Sequence, residues 1–272
     1  MALQERDLDF EGMNVLCWEG GSGFPIVMIH GSGPGASTLG NWRNVMEPLS
    51  ARYKILAADL IGFGLSGRKP NEPYFDLPLW TRQTQFLLNA LAPAGPVGII
   101  AHSLSAYFAI KTALANEARV TKLLLTGPIG RPYTIGPEGI AIWTFPETRD
   151  QLKRVMEILI YDKSQITPEF LDNRMKVLGD PAYKDYFGKM FAGDKQRFVD
   201  ACVIPDADLK KLKCDVAIVH GRDDSVTKLA ETGLPMSRVI PKCDLYAVAH
   251  CGHGPALEQP AKFMTAAHNL FG

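Results

Sequence analysis

The sequence predicts an α/β fold with a mostly parallel central sheet, helices on both faces and a helical insertion. Three observations support this prediction. Short apolar runs rich in Val, Ile and Leu alternate with amphipathic stretches of helical period. The short runs are apolar throughout, which is typical of parallel strands covered on both faces. One long region, residues 131–205, contains helical patterns but no strand pattern.

The strands and helices of the core follow in order along the chain. Buried strands are predicted at Pro25 to His30, Lys54 to Ala58, Val97 to His102, Lys122 to Thr126, Asp215 to His220 and Asp244 to Val248. Core helices are predicted at Trp42 to Leu49, Leu79 to Leu91, Leu104 to Ala115 and Pro260 to Leu270. The segment up to about Gly23 is expected to form a hairpin at the edge of the sheet.

The region without strands interrupts this alternation. Helical patterns run from Thr148 to Ile160 and from Pro168 to Leu178, separated by Pro, Gly and Asp. One interpretation is a long α/β connection. The other is a helical lid that covers a site at the carboxyl edge of the sheet. We expect this region to be a lid, so that residues 1–130 and 206–272 form the core and residues 131–205 form the lid.

Charge and cysteine content exclude several classes of protein. The 272 residues carry 29 Lys and Arg against 29 Asp and Glu, so no basic field would attract nucleic acid. The five cysteines form no C-x-x-C pair, which argues against a zinc knuckle or a disulfide scaffold. The first residues include acids where a signal peptide would be apolar, and no apolar run could span a membrane. A cytoplasmic protein is expected.

A serine stands where a strand meets a helix. The predicted strand ending at His102 runs directly into Ser103-Leu104-Ser105-Ala106 and a helix. Such a sharp turn exposes the serine hydroxyl and needs small residues two positions before and after it, usually glycine. Here Ala101 and Ser105 occupy those positions. Ser103 is therefore a candidate nucleophile, and a helix-capping serine is the alternative.

A candidate acid and base follow later strands. Asp223 and Asp224 come after the strand ending at His220, and His250 and His253 come after the next strand. The order serine, acid, histidine is typical of a nucleophile activated by a base that a carboxylate orients. Either Asp and either His fits this pattern. The remaining histidines are expected to be structural or pocket residues: His30, His102, His220 and His268. No cluster of His and Asp residues has the spacing of metal ligands.

A glycine-rich loop follows the first predicted core strand. The segment from His30 to Ser37 reads HGSGPGAS, so its backbone can adopt unusual angles. Such a loop can offer one N–H group to an oxyanion, and Leu104, next to Ser103, can offer a second. No G-K-[ST] follows, which excludes a phosphate loop. No acidic partner stands about 20 residues on, which argues against a dinucleotide site.

With these features the chain resembles the α/β-hydrolase superfamily, including the motif from Asp59 to Ser66, DLIGFGLS. The loop from His30 to Ser37, continued by Asn41-Trp42-Arg43, resembles the meta-cleavage product hydrolases. The segment from Gln165 to Arg174 resembles the lid helix of those enzymes. They cleave a carbon–carbon bond in 2-hydroxy-6-oxo-hexa-2,4-dienoates, the ring-opened products of catechols.

The resemblance implies a role for each matching position. It makes Ser103 the nucleophile, His253 the base and Asp224 the orienting acid, with the N–H groups of Ser32 and Leu104 as the oxyanion hole. Arg174 and Asn41 would hold the carboxylate and the enol end of the substrate, with His102 nearby, and Gly33 and Gly254 would be further substrate-binding positions. No metal or other cofactor is expected. The partner would be a small carboxylated molecule. Members of the family often form homodimers or larger assemblies, but no feature of this sequence decides the oligomeric state.

Some positions depart from the family pattern. Gly254 stands where these hydrolases usually have a Trp that lines the pocket, and Ser225 and Thr227 also differ from the usual residues. The turn Ser103-Leu104-Ser105-Ala106 is similar to that of butenolide and strigolactone receptor hydrolases. Two alternatives therefore stand beside the carbon–carbon hydrolase. One is a carboxylesterase or lactonase with the same three residues, and the other is a small-molecule receptor with slow turnover.

Overall fold

The computed structural model describes residues 3–272, and its central feature is a sheet of eight strands. In chain order the strands are β1 (Gln4–Phe10), β2 (Met13–Gly20), β3 (Pro25–Ile29), β4 (Lys54–Ala58), β5 (Val97–His102), β6 (Val120–Thr126), β7 (Asp215–Gly221) and β8 (Cys243–Val248). Across the sheet the order is β1-β2-β4-β3-β5-β6-β7-β8. The strands β3 to β8 run parallel, and β2 is antiparallel to both of its neighbours. The predicted fold class and core strands are confirmed.

The helices lie between and after these strands. They are α1 (Thr38–Trp42), α2 (Met46–Ser50), α3 (Leu77–Leu91), α4 (Ser105–Ala115), α5 (Pro137–Ile142), α6 (Arg149–Leu159), α7 (Pro168–Leu178), α8 (Pro181–Met190), α9 (Gln196–Ala201), α10 (Asp206–Leu209), α11 (Gly233–Val239), α12 (Pro255–Glu258) and α13 (Pro260–Phe271), with a 3₁₀ turn at Lys163–Gln165. Residues 127–214, all of them described, contain helices and no strand. The helices predicted in this stretch are present as α6 and α7.

The predicted helix from Trp42 to Leu49 is wrong in one respect, because two short helices replace it. The first ends at Trp42 and the second begins at Met46. Pro48 has no N–H to donate to a carbonyl four residues earlier, so it disfavours a continuous helix. In the first turn of α2 the missing N–H costs nothing, since no partner exists there in any helix.

Each face of the sheet packs against its own helices. Along β3, Ile26 and Met28 point to one face and Val27 and Ile29 to the other, because successive side chains alternate along a strand. The first pair belongs to the apolar cluster that contains residues of α2 and α13, and the second to the cluster with residues of α3 and α4. This double covering explains why the core strands are apolar throughout.

The predicted hairpin at the N-terminal edge is also confirmed. β1 and β2 pair in antiparallel register around Glu11 and Gly12, which have φ angles of 53° and 78°. Two consecutive positive φ angles are typical of a tight hairpin turn. The first two residues, which the sequence assigns to the core segment, lie outside the described residues.

Candidate active site

Ser103 lies at the sharp turn between β5 and α4, at the carboxyl edge of the sheet. Its φ angle is 56°, a left-handed conformation that is unfavourable for a residue with a side chain. Its backbone N–H donates to the carbonyl of Thr126 on β6, at 2.9 Å, which helps to hold the turn. A strained conformation of this kind persists where many surrounding contacts hold it in place, and such positions are often found at functional sites.

The two small residues around this turn are fully buried. Ala101 on β5 and Ser105 on α4 have no exposed surface. The Ser105 hydroxyl donates to the carbonyl of His30 at the end of β3, so it ties the helix to the neighbouring glycine-rich loop. A serine at this position therefore contributes a cross-link that glycine could not make.

Ser103, His253 and Asp224 form a continuous hydrogen-bonded chain. The His253 Nε2 atom is 2.9 Å from the Ser103 hydroxyl oxygen, and the Nδ1 atom is 2.7 Å from Asp224 Oδ2. This is the arrangement in which a histidine can accept the proton of a serine while a carboxylate orients the ring. Ser103 lies more than 100 positions from Asp224 and His253 in sequence, and the three come together where β5, β7 and β8 end.

Asp224 is held as a buried anion. Burial acts to raise its pKa, but His253 and His220 together hold the pKa of this carboxyl well below its usual range. The second carboxylate oxygen, Oδ1, accepts the backbone N–H groups of Val226 and Thr227 at 2.8 and 3.0 Å. Asp224 is therefore ionised and fixed in orientation near neutral pH.

The structure places the two alternative residues elsewhere. Asp223 is exposed, and its carboxylate accepts the backbone N–H of Cys251 at 3.3 Å instead of facing a histidine ring. His250 is exposed and stacks on Tyr161 with ring centroids 5.5 Å apart. Of the two aspartates and the two histidines, Asp224 and His253 are the pair that lies within hydrogen-bond distance of each other.

Three further residues surround the acid and were not predicted. The Thr227 hydroxyl donates to Asp224 Oδ2 at 3.0 Å, and the His220 Nε2 atom lies 3.2 Å from the same oxygen. Gly127, with φ of 47°, follows β6, and a Cβ atom there would lie 3.0 Å from His253 Nδ1. The sequence signals for them were the positions of Gly127 directly after β6 and of His220 on β7, at the edge where strands end, and the departure of Thr227 from the usual family residue.

The remaining histidines are placed as structural or cavity-lining residues. His30 is fully buried, with Nε2 accepting the Leu60 N–H at 3.0 Å. His102 lies beside the catalytic candidate, 4.6 Å from the His253 ring, and its Nδ1 is 2.9 Å from the Thr126 hydroxyl. Burial, followed by the nearby His253, lowers the pKa of His102 well below its usual value, so this ring is neutral.

A two-lobed cavity opens above these residues. One lobe has a volume of about 30 Å³ and is lined by Gly31, Ser32, Gly33, Ser103 and Ile142, among others. The adjoining lobe also has a volume of about 30 Å³ and is lined by Met156, Ile160, Gly254 and Leu257, among others. Five residues line both lobes: Asn41, His102, Leu159, Arg174 and His253. All predicted substrate-binding residues thus reach the cavity.

The glycine-rich loop contacts the insertion at the cavity wall. The indole N–H of Trp143, just after α5, donates to the Ser32 hydroxyl at 2.9 Å. Leu104, the other predicted oxyanion position, lies at the N-terminus of α4 and is fully buried. The backbone N–H groups of both residues remain the predicted oxyanion hole.

Arg174 on α7 is a buried cation that reaches the cavity. It is 7% exposed, and its Nη1 donates to the carbonyl of Pro34 at 2.9 Å. Among residues 3–272 no carboxylate pairs with it, and its Nε atom has no hydrogen-bond partner. Burial, with a smaller contribution from Arg43, lowers its pKa to about 10, so the guanidinium is still charged at neutral pH. A buried charge without a partner is costly, and an anionic ligand would supply one.

Gly254 leaves open space in the second lobe. A Cβ atom built there would have no neighbour closer than 3.8 Å, which is an ordinary contact distance. The backbone therefore does not require glycine at this position. Within the described part of the chain, no group of His, Cys, Asp and Glu side chains is arranged to hold a metal ion.

The chain belongs to the α/β hydrolase family, since the family pattern described as the alpha/beta hydrolase family matches residues 26–266. It is 32% identical over 244 residues to the 2-hydroxy-6-oxo-2,4-heptadienoate hydrolase of Pseudomonas putida, covering 90% of this chain and 87% of that protein. It is also 29% identical over 259 residues to the 2-hydroxymuconate semialdehyde hydrolase of a Pseudomonas species, covering 95% and 90%. The predicted family resemblance and the predicted class of enzyme, a hydrolase, are confirmed.

A solved structure agrees with this assignment. The meta-cleavage product hydrolase of Pseudomonas fluorescens, in a mutant form complexed with acetates, superposes with a TM-score of 0.91 at 28% identity, covering 97% of this chain and 96% of that one. The agreement extends across the core and the inserted helices. A separate finding concerns membranes: within residues 3–272, no helix is both long enough and apolar enough to cross one.

Proposed function

We propose that this protein is a serine hydrolase that cleaves a carbon–carbon bond in a carboxylated 2-hydroxy-6-oxo-dienoate, a ring-opened product of aromatic degradation. The observation that carries the proposal is the buried, unpaired guanidinium of Arg174 in the cavity that also contains Ser103 and His253. A neutral ester would leave that charge uncompensated. The relatives named as hydrolases of 2-hydroxy-6-oxo-dienoates support the same assignment.

The carboxylate and enol end of the substrate would bind where the two lobes meet. The planar guanidinium of Arg174 matches a carboxylate and can donate two parallel hydrogen bonds to it. Asn41, which is 8% exposed and lines both lobes, can bond the enol oxygen with its amide. Gly33 keeps the adjacent wall free of a side chain, and the neutral His102 adds no charge that would compete for the anion.

The reaction would begin with a proton transfer. The dienolate is protonated at the carbon next to the distant ketone, which gives a diketo form in which the existing bond between that carbon and the ketone carbon can be broken. This step matters because the carbon fragment that later leaves can then depart as an enolate, conjugated with the 2-oxo group. His253, held by Asp224, is the proposed proton carrier.

Cleavage would follow by attack on the distant ketone. Ser103 Oγ bonds to the ketone carbon while His253 takes its proton, and the N–H groups of Ser32 and Leu104 stabilise the oxyanion. The carbon–carbon bond then breaks, with its electron pair passing into the dienolate, which is reprotonated. Water, deprotonated by His253, hydrolyses the acyl-serine and releases a carboxylic acid.

The inserted helices would act as a lid, with residues 131–205 as the lid and the rest as the core. Support comes from the cavity, because Ile142, Met156 and Arg174, all in that segment, form part of its wall. The substrate carboxylate would then be held by the lid and the nucleophile by the core. Lid closure would thus complete the site and exclude water.

The test is a panel of 2-hydroxy-6-oxo-hexa-2,4-dienoates carrying methyl to phenyl groups on the ketone. We expect rapid loss of the dienolate absorbance together with formation of the matching carboxylic acid, measured by chromatography. No product from any member, with turnover of neutral esters or lactones instead, would replace the proposal by an esterase or lactonase. Turnover below about one per minute for all of them, far below ordinary enzyme rates of 1–1,000 per second, would favour a receptor.

Replacing Arg174 with glutamine should separate carboxylated from neutral substrates. Loss of charge-assisted bonds to the carboxylate should cost about 3 kcal/mol, roughly a hundredfold or more in kcat/KM. Hydrolysis of p-nitrophenyl acetate should change less than threefold. Arg43→Gln is the matched control, because Arg43 also lies over the Phe170 ring but is exposed. An equal loss for both substrates in Arg174→Gln would contradict the assigned role.

Filling the second lobe should change substrate selectivity. A Cβ atom at Gly254 would meet no atom closer than 3.8 Å, so the first atom of a larger side chain fits there, and the indole of Gly254→Trp should occupy the second lobe. We expect the ratio of kcat/KM between the bulkiest and smallest substrates of the panel to fall about tenfold, in the range typical of pocket filling. Gly254→Ala is the control. An unchanged ratio in the Trp variant would mean that substituents do not enter this lobe.

A further inference from the structure

Glu258 is a buried carboxylate that the proposed chemistry does not use. It ends the short helix α12 and is 5% exposed. No Lys, Arg or His side chain forms an ion pair with it among residues 3–272. Burial acts to raise the pKa of this carboxyl, and its backbone hydrogen bonds act against that rise. A charge kept in such surroundings needs several strong donors.

The main donors are three backbone N–H groups, and the Cys251 thiol also lies 4.0 Å from Oε1. Gly252 donates to both carboxylate oxygens, at 3.0 and 3.1 Å, and Gly254 donates to Oε1 at 3.1 Å. Tyr161 donates to Oε2 at 2.7 Å. The first two donors flank His253, and the third lies two residues beyond the end of α6. One carboxylate thus bridges the loop of the triad histidine and the inserted helices.

A second link runs parallel to this bridge. The backbone N–H of His253 itself donates to the carbonyl of Leu159, the last residue of α6, at 2.7 Å. The close approach depends on Gly252, because a Cβ atom there would lie 2.5 Å from the Leu159 oxygen. Leu159 also lines both lobes of the cavity. The end of α6 is therefore tied to the cavity on one side and to the histidine loop on the other.

We infer that Glu258 is a positioning residue that couples the end of α6 to the placement of His253 against Ser103. The inference rests on the proposed role of His253 as the base. When the end of α6 is in the position seen here, Tyr161 and Leu159 hold residues 252–254, and Nε2 stays 2.9 Å from the serine hydroxyl. When α6 moves away, the loop loses its hydrogen bond to Leu159, Glu258 loses the one from Tyr161, and the serine loses its aligned base.

Tyr161→Pro removes the bridging N–H, together with the ring that stacks on His250, and leaves residues 252–254 unchanged in sequence. Ile160, the residue before it, has φ of −113° and ψ of 126°, a conformation that proline accepts in its predecessor. Tyr161→Ala is the matched control, because it also lacks the tyrosine ring but keeps the N–H. The readout is the second-order rate at which a fluorophosphonate labels Ser103, which needs an activated serine but no dienoate.

We expect Tyr161→Pro to label at least tenfold more slowly than Tyr161→Ala, with thermal unfolding midpoints within about 5 °C of each other, as expected for one lost hydrogen bond. Glu258→Gln should slow labelling similarly, since an amide offers one acceptor oxygen in place of two. Equal labelling of the Pro and Ala variants would overturn the inference. A lower midpoint with unchanged labelling would do the same, because Glu258 would then only stabilise the fold.

The labelling assay also separates this inference from the proposed function. The protein could cleave no dienoate and still show the expected difference in labelling rate between Tyr161→Pro and Tyr161→Ala. That result would contradict the substrate assignment and support the coupling. Absence of labelling in the wild-type protein would overturn the role of the triad, and the coupling with it.

Discussion

Replacing Ser103 with alanine is expected to lower product formation from a 2-hydroxy-6-oxo-dienoate by at least about 10⁴-fold, because no acyl-serine can form. The left-handed backbone conformation at position 103 is equally strained in both proteins, since alanine and serine both carry a Cβ atom. The variant should therefore fold with an unfolding midpoint close to that of the wild type. Chromatography of the carboxylic acid product is the measurement.

The proposed two-stage reaction makes a further expectation for this variant. Proton transfer to carbon needs His253 but not the Ser103 hydroxyl, so dienolate absorbance should change while no acid appears. Ser105→Ala is the matched control, since its hydroxyl donates to the His30 carbonyl and not to His253. That control should lose roughly 1 kcal/mol of stability and keep most of its turnover. Product formation by Ser103→Ala at a rate near that of the wild type would rule out the serine mechanism.

Replacing Asp224 with asparagine is expected to lower kcat by about 10³–10⁴-fold. The carboxylate faces His253 Nδ1 at 2.7 Å and stabilises the ring when it takes up a proton. A neutral amide cannot stabilise that charge, and its NH₂ group would favour the wrong tautomer. Because the pKa of Asp224 is lowered in the folded protein, the carboxylate also contributes stability above the ordinary pKa of aspartate, and this is lost as pH falls through the lowered value.

The adjacent aspartate provides a closely matched control. Asp223→Asn makes the same chemical change one residue away, on an exposed side chain whose carboxylate only accepts the Cys251 N–H. We expect its kcat to stay within a few-fold of the wild type. Steady-state kinetics of both variants, with circular dichroism as a check on folding, would decide the matter. Comparable losses in the two variants would contradict the assignment of Asp224 as the orienting acid.

The order of the candidate serine, acid and histidine along the chain was predictable, because each of them follows a predicted strand. Runs of apolar residues identify parallel strands, and parallel strands end at one edge of a sheet. The sequence alone therefore assigned the serine, the two aspartates and the two histidines to one edge of the sheet: Ser103, Asp223, Asp224, His250 and His253. The inserted region could be predicted too, since α6 and α7 carry regular helical periodicity.

Other features depended on contacts between distant segments. The residue pattern allowed both Asp223 and Asp224, and only the twist of the chain after β7 exposes the first and buries the second. The single helix expected from Trp42 is divided in two in the structure. Hydrophobic periodicity could not predict this break, because it does not show which carbonyl Pro48 leaves without a donor. Thr227 and Gly127 are joined by a hydrogen bond although they are 100 residues apart in sequence. Glu258 accepts the N–H of Tyr161, which is 97 residues away.

The sequence by itself thus determined the fold class, the family and the chemical types gathered at the sheet edge, since these follow from local periodicity and short motifs. The tertiary structure alone decided which acid meets which histidine, that Arg174 is buried without a carboxylate partner among the described residues, and that one carboxylate joins the histidine loop to the inserted helices. The physical reason is that burial and hydrogen-bond partners are set by packing between distant segments. No local pattern of residues records that packing.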